Sequence, residues 1–122
     1  MSNMFFDCTA FNQPLNGWKV DRVINMQHMF AKCINFNQDI SMWDVSSVSN
    51  MNSMFKECES FDQDISNWLV GKVYDMTYMF FGCKSFTCCL DDWDISNVKD
   101  SRSMCGMFTK CDALKKKPIW YK

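Results

Sequence analysis

Apolar residues recur along this chain at a fixed interval of 25 positions, and the polar residues between them keep the same phase. Phe11, Phe36, Phe61 and Phe86 form one column, Trp18, Trp43, Trp68 and Trp93 a second, and Val23, Val48, Val73 and Val98 a third. Each unit opens on Met1, Met26, Met51 or Met76. Met4, Met29, Met54 or Met79 follows three residues on, next to Phe5, Phe30, Phe55 or Phe80. Cys8, Cys33, Cys58 and Cys83 complete the set. Self-similarity of this period marks stacked coils that bury one continuous core. The working part of such a molecule is a surface rather than a catalytic pocket.

The unit from Cys33 to Cys58 shows what each coil is expected to contain. Phe36, Gln38 and Ile40 alternate with Asn37, Asp39 and Ser41. That is period two, and it predicts a short strand with Phe36, Gln38 and Ile40 turned inward. Stacked coils would pair such strands as a parallel sheet, neighbours about 4.8 Å apart. Trp43 and Val45 then turn a corner to Ser46, whose column (Asp21, Gly71, Ser96) suits a helix N-cap. Val48, Met51, Met54, Phe55 and Cys58 follow at the spacing of one apolar helical face, which predicts a short helix over 47–57, or over its Met-Phe half alone. The expected fold class is therefore α/β: a solenoid of about five coils, strands on one side and helices on the other, in a single domain over 1–122. The coils start near residues 1, 26, 51, 76 and 104.

The pattern slips once. Ser101-Arg102-Ser103 intervene before Met104, and Met107, Phe108 and Cys111 resume it three residues late. Residues 112–122 read as a C-terminal cap in which Trp120 and Tyr121 cover the last coil. The first coil has no such cover. Its Phe5, Phe6, Phe11 and Trp18 leave three readings: preceding repeats, a partner (a protein or a second copy) docking on the open face, or a mildly sticky first coil that the monomer tolerates.

Composition changes this picture little. Eleven Phe, eleven Met and five Trp against four Gly make a bulky, sulfur-rich core. Charge adds an asymmetry: residues 1–98 hold six Lys/Arg against twelve Asp/Glu, and residues 99–122 hold seven against two. An acidic body with a basic end suits head-to-tail association or docking to something acidic, and equally a solubilising end-cap. It does not suit nucleic acid, because the basic residues form no stripe and the body repels phosphate. No segment is apolar enough for a membrane span, and the first residues lack the features of a signal peptide. Together with free cysteines, this favours a cytoplasmic or virion location, or the cell surface if the chain is a piece of a longer exported protein.

The run Met-x-x-Met-Phe-x-x-Cys-x-x-Phe-x-Gln-Asp-Ile-Ser-x-Trp-Asp-Val-Ser-x-Val, clearest from Met26 to Val48, resembles the BspA-like leucine-rich-repeat superfamily. The match is to its 25-residue variant, found in mycoplasma surface lipoproteins and in large DNA viruses, and covers residues 1 to about 114. The resemblance implies a right-handed leucine-rich-repeat-like solenoid used for protein–protein contact or surface attachment, with no shared catalytic residues. Gly17 and Lys19 in the first unit, and Cys88-Cys89 in place of Gln-Asp in the fourth, depart from the pattern.

No catalytic, cofactor or metal residues are assigned. The in-phase cysteines read as a packing ladder of small apolar groups, and the Gln13, Gln38 and Gln63 column as hydrogen-bonding between coils. The candidate interaction surface comprises Asp39 and Asp64, stacked outward like charges that a basic partner would relieve. It also takes in the exposed thiol Cys89, the open-face residues Phe5 and Phe6, and the basic Lys115, Lys116 and Lys117. The first reading is a non-enzymatic interaction or assembly module, possibly of a large DNA virus. The second is a fragment of a bacterial BspA-like surface adhesin or lipoprotein. A third, from another class, is a zinc- or thiol-dependent enzyme built on the late cysteines.

Overall fold

The computed structural model describes residues 1–121. Lys122, the last residue of the expected cap, lies outside the described residues. Among them, neither the expected helices nor the expected strands form. A 3₁₀ turn, η1 (Ser101–Met104), and two isolated parallel bridges, Asn25 with Asn50 and Asn50 with Asp75, are all the regular structure present. The expectation of an α/β leucine-rich-repeat-like solenoid with sheet and helix sides is thus corrected. The coils stack in the 25-residue register, but each is a succession of turns.

Two left-handed residues per coil prevent the helix. His28 and Lys32, Ser53 and Glu57, and Tyr78 and Gly82 all have φ between 55° and 74°, as do Asn3 with Asp7 and Gly106 with Lys110. A left-handed residue at every fourth position removes the run of right-handed dihedrals that i→i−4 bonding requires. Alternate amides take different partners instead. The N–H groups of Met54, Lys56 and Cys58 donate back to the carbonyls of Met51, Ser53 and Phe55, closing turns. Those of Met51, Ser53, Phe55 and Glu57 donate forward to Asp75, Thr77, Met79 and Phe81 of the next coil. The same alternation runs from Met26 to Cys33. With Gln27 and Asn52 donating to the side chains of Asn25 and Asn50, every amide of 26–33 and 51–58 is satisfied, which offsets the roughly 1–2 kcal/mol that a non-glycine residue costs at positive φ.

The expected strands fail for a different reason. The amide of Asn37 donates to Asn12 Oδ1, that of Asp62 to Asn37 Oδ1 and that of Thr87 to Asp62 Oδ1, each at 2.9 Å. Side-chain oxygens therefore bridge the coils where a backbone ladder was expected. Phe36 and Ile40 are buried and Asn37 and Asp39 exposed, so the period-two alternation reports burial without a sheet. Gln38 is half-buried rather than inward. Its Nε2 donates to the carbonyl and Oδ1 of Asn12 at 3.1 and 3.0 Å, and Gln63 repeats this on Asn37.

The core is a double column of parallel rings. Phe5, Phe30, Phe55, Phe80 and Phe108 stack with centroids 5.5, 5.7, 5.7 and 5.6 Å apart. Within a coil, Phe30 lies 4.3 Å from Phe36 and Phe55 4.3 Å from Phe61. Each indole of Trp43, Trp68 and Trp93 donates to a carbonyl one coil back, on Leu15, Ile40 and Ile65. Trp120 takes that place in the fifth coil, stacked on Trp93 at 6.5 Å and donating to Leu90. Its neighbour Tyr121 sits edge-on to Phe108 at 5.0 Å.

The three inserted residues are absorbed in η1. Asp100 Oδ1 accepts the Arg102 amide at its start, and beyond it Met76, Tyr78, Phe80 and Gly82 donate to Ser103, Cys105, Met107 and Thr109. The seam bonding resumes without loss, shifted by the insertion.

Candidate interaction surface

The stacking places the sequence-derived candidates in three separate regions. Phe5 and Phe6 lie at the first coil, Asp39 and Asp64 on a lateral face, and Cys89 with Lys115, Lys116 and Lys117 near the last coil.

On the first coil, Phe5 is half-buried, stacked on Phe11 at 4.3 Å, while Phe6 is exposed and edge-on to His28 at 6.1 Å. Trp18 is 37% exposed, against 3–4% for Trp43, Trp68 and Trp93. Its indole N–H has no protein partner among the described residues, and neither do the carbonyls of Ser2, Met4 and Phe6, which correspond to acceptors used at every internal seam. This face therefore combines apolar area with unpaired backbone acceptors, two properties that favour coverage by another polypeptide.

Asp39 and Asp64 are exposed, but their oxygens are already engaged. Asp39 Oδ1 accepts the Ser41 hydroxyl at 2.7 Å and its amide at 2.9 Å, and Asp64 accepts the same pair from Ser66 at 2.6 and 3.0 Å. The serine hydroxyl first, then the amide, holds each carboxyl below the usual carboxylate range, against a smaller opposing effect of Asp64 on Asp39. These turns engage Oδ1 of each carboxylate and leave its charge in place. A depressed folded-state pKa contributes stability above the unfolded value, about 3.9, and loses it as pH falls through the folded value. Replacing both Ser41 and Ser66 by alanine is accordingly expected to lower the melting temperature near pH ~6, by an amount that shrinks steadily as pH falls below the unfolded value of about 3.9. Thermal melts across that range check this; a gap independent of pH would contradict it.

Cys89 is exposed at the edge of a cavity of about 480 Å³. Leu90, Leu114 and Pro118 give the cavity its apolar side, and the exposed Lys115, Lys116 and Lys117 its basic rim. Ile119 N–H donates to Asp91 Oδ1 at 2.9 Å, tying the closing segment to the fourth coil. Cys88 points to Asp64, its Sγ 3.6 Å from Oδ1, and burial raises its pKa. Among the described residues no group of three or more His, Cys, Asp or Glu side chains is placed to hold a metal ion.

All eight thiols are free, and the ladder is bonded along its length. Cys33, Cys58, Cys83 and Cys111 donate their S–H groups to the carbonyls of Phe5, Phe30, Phe55 and Phe80, each at 2.9 Å. Burial pushes Cys33 and Cys111 up to about 11, and raises Cys58 and Cys83 strongly. Since the thiolate is the reactive form, alkylation of the native protein is expected at Cys8, Cys89 and Cys105. Cys33, Cys58 and Cys83 should react only on unfolding. Mass spectrometry of labelled peptides checks this, and native labelling of Cys58 would contradict the ladder.

Two exposed features escaped the sequence reading. Met42 is 80% exposed and Leu69 71% exposed. They share a shallow groove, and Met42 also borders a second groove with Trp18. The signal was present as an exception: Met42 stands in a column with Gly17, Asn67 and Asp92. The second feature is a cation–π cluster, with Lys56 5.5 Å from the Tyr78 ring and 5.7 Å from Phe81, and Lys110 5.7 Å from Phe81. It joins residues of three coils, a relation that only the stacking register reveals.

A repeat protein of stacked, turn-built coils with exposed faces rather than an enclosed site is the class that this architecture defines. The chain belongs to the family described as Mycoplasma protein of unknown function, DUF285, whose model matches residues 1–120. No curated protein matches it. No solved structure matches it either. Among the described residues no helix is long and apolar enough to cross a membrane.

Proposed function

We propose that this chain is a non-enzymatic module for protein binding or structural assembly, and that the exposed face of its first coil is the docking surface. One observation carries the reading: Trp18, Phe6 and the unpaired carbonyls of Ser2, Met4 and Phe6 lie together on one face, while the equivalent groups inside the stack are covered and bonded. Apolar area and unmet hydrogen-bonding groups together favour a polypeptide partner over a small ligand. A photo-crosslinker attached at Cys8 on this face, compared with one at the distant Cys89, tests it. Protein adducts confined to Cys8 and removed by Trp18→Lys are expected. Adducts at neither site, or equally at both, would overturn the reading.

A second reading is a repeat segment of a bacterial surface adhesin; the family match supports its bacterial part alone, since the family is described from Mycoplasma with no function. In that setting the lateral ridge of Met42 and Leu69 is the face left available for adhesion. Loss of surface binding on Met42→Ser with Leu69→Ser, but not on Trp18→Lys, would select it.

A further inference from the structure

We propose that the partner of the first-coil face is the last coil of a second copy of this chain, so that copies add head to tail. The inference rests on the docking role assigned above and names the occupant. Its basis is the direction of the seam hydrogen bonds. Along the turn segment of each internal seam the earlier coil donates and the later coil accepts, as in His28 N–H to Asn52 and Ser53 N–H to Thr77, while outside that segment Ser49, Ser60, Tyr74 and Ala113 donate the other way, to Ile24, Ile34, Ser49 and Lys84. The first coil therefore presents a row of acceptors, the carbonyls of Ser2, Met4 and Phe6. The last coil presents a row of donors, the N–H groups of Gly106, Phe108 and Lys110, likewise without protein partners among the described residues.

Two first-coil faces turned together would not reproduce an internal seam, because neither carries the row of turn-segment donors that Gly106, Phe108 and Lys110 provide. A first coil on a last coil restores the pattern of every internal seam. Side chains agree with the backbone. Cys33 Sγ and the Trp43 indole donate to Phe5 and Leu15 of the preceding coil, whereas Cys8 and Trp18 lack such acceptors, and the Phe108 carbonyl stands where Cys8 would find one. Charge counts only against the alternative of two last coils, which would set the basic residues 99–122 together; the first coil is balanced, with Lys19 and Arg22 against Asp7 and Asp21.

One group opposes docking. Tyr121 stands edge-on to Phe108 at 5.0 Å, whereas Phe30, Phe55 and Phe80 have parallel neighbours on both sides in that column. Tyr121 is the latch that turns aside when a copy adds, while Trp120, bonded to Leu90 and stacked on Trp93, stays in place.

A head-to-tail contact does not close, so it produces open growth rather than a fixed dimer. Sedimentation velocity of the full chain over a wide concentration range distinguishes the cases. Tyr121→Ala is expected to grow past the dimer as concentration rises, and to do so more readily than the unmodified chain. Adding Phe11→Asp to the Tyr121→Ala chain should abolish growth, and doped into Tyr121→Ala alone this double variant should shorten the species formed. Trp18→Lys, at an exposed position, serves the same purpose should Phe11→Asp fail to fold. Growth that stops at the dimer would overturn the head-to-tail contact. A monomer at every concentration for both the unmodified chain and Tyr121→Ala would overturn self-association altogether, and the Cys8 crosslinking would then decide separately whether the face binds another protein.

Discussion

Replacing Phe55 by alanine is expected to destabilise the protein by about 3–5 kcal/mol, the usual cost of emptying a buried phenylalanine site. Phe55 is fully buried at the middle of the stack, with Phe30 and Phe80 each 5.7 Å away, Phe61 at 4.3 Å and Trp68 at 6.2 Å. The deletion therefore opens both seams of the third coil at once. Stability in a repeat array is close to a sum of coil and seam contributions, and a small domain holds only about 5–15 kcal/mol in all. Broadening or splitting of the denaturant transition is expected with the loss, because the halves on either side become less coupled. Phe6→Ala, at an exposed position outside the column, should stay within about 0.5 kcal/mol. Chemical denaturation of the two variants checks the contrast, and equal losses would contradict the ring column as the main source of stability.

At position 28, glycine is expected to be more stabilising than alanine, by roughly 0.5–1 kcal/mol. His28 has φ 56° and its amide donates to Asn52 at 2.9 Å. Alanine there meets the left-handed penalty of about 1–2 kcal/mol, while glycine avoids it and gives back part of the gain, about 0.4–1 kcal/mol, through the freedom of its unfolded chain. Both substitutions lose the same contact with Phe6, so their difference isolates the backbone. A helical coil gives the opposite order, with alanine ahead by about 1 kcal/mol. Paired equilibrium unfolding of His28→Gly and His28→Ala reads the sign directly.

What was legible in the sequence was the register; the local conformation was not. Columns of Phe, Met, Trp and Cys report which side chains are buried, and they repeat in the structure with the spacing the sequence shows. The conformation between them was misread because a turn-built coil can bury residues at the spacings of a helix. Val48, Met51, Met54, Phe55 and Cys58 match a helical face, yet Ser53 and Glu57 are left-handed. Little in their residue types signals this, since Lys, Ser, Glu and Tyr occupy such positions here alongside the conventional Asn3, Asp7, Gly82 and Gly106. Phe36 to Ile40 alternates like a strand because Asn and Asp side chains, rather than backbone carbonyls, span the seam. The open first-coil face was visible in sequence as an uncovered aromatic set. Its row of bare acceptors was not, because that follows from which way the amides point.

Through-hydrogen-bond coupling between amide nitrogen and carbonyl carbon, measured by NMR on labelled protein, tests the turn-built stack most directly. Couplings from the amides of His28, Phe30 and Lys32 to the carbonyls of Asn52, Met54 and Lys56, with matching ones from Ser53 and Phe55 to Thr77 and Met79, are the expected result. Couplings from Phe55 to Met51, the i→i−4 pattern of a helix, would contradict it.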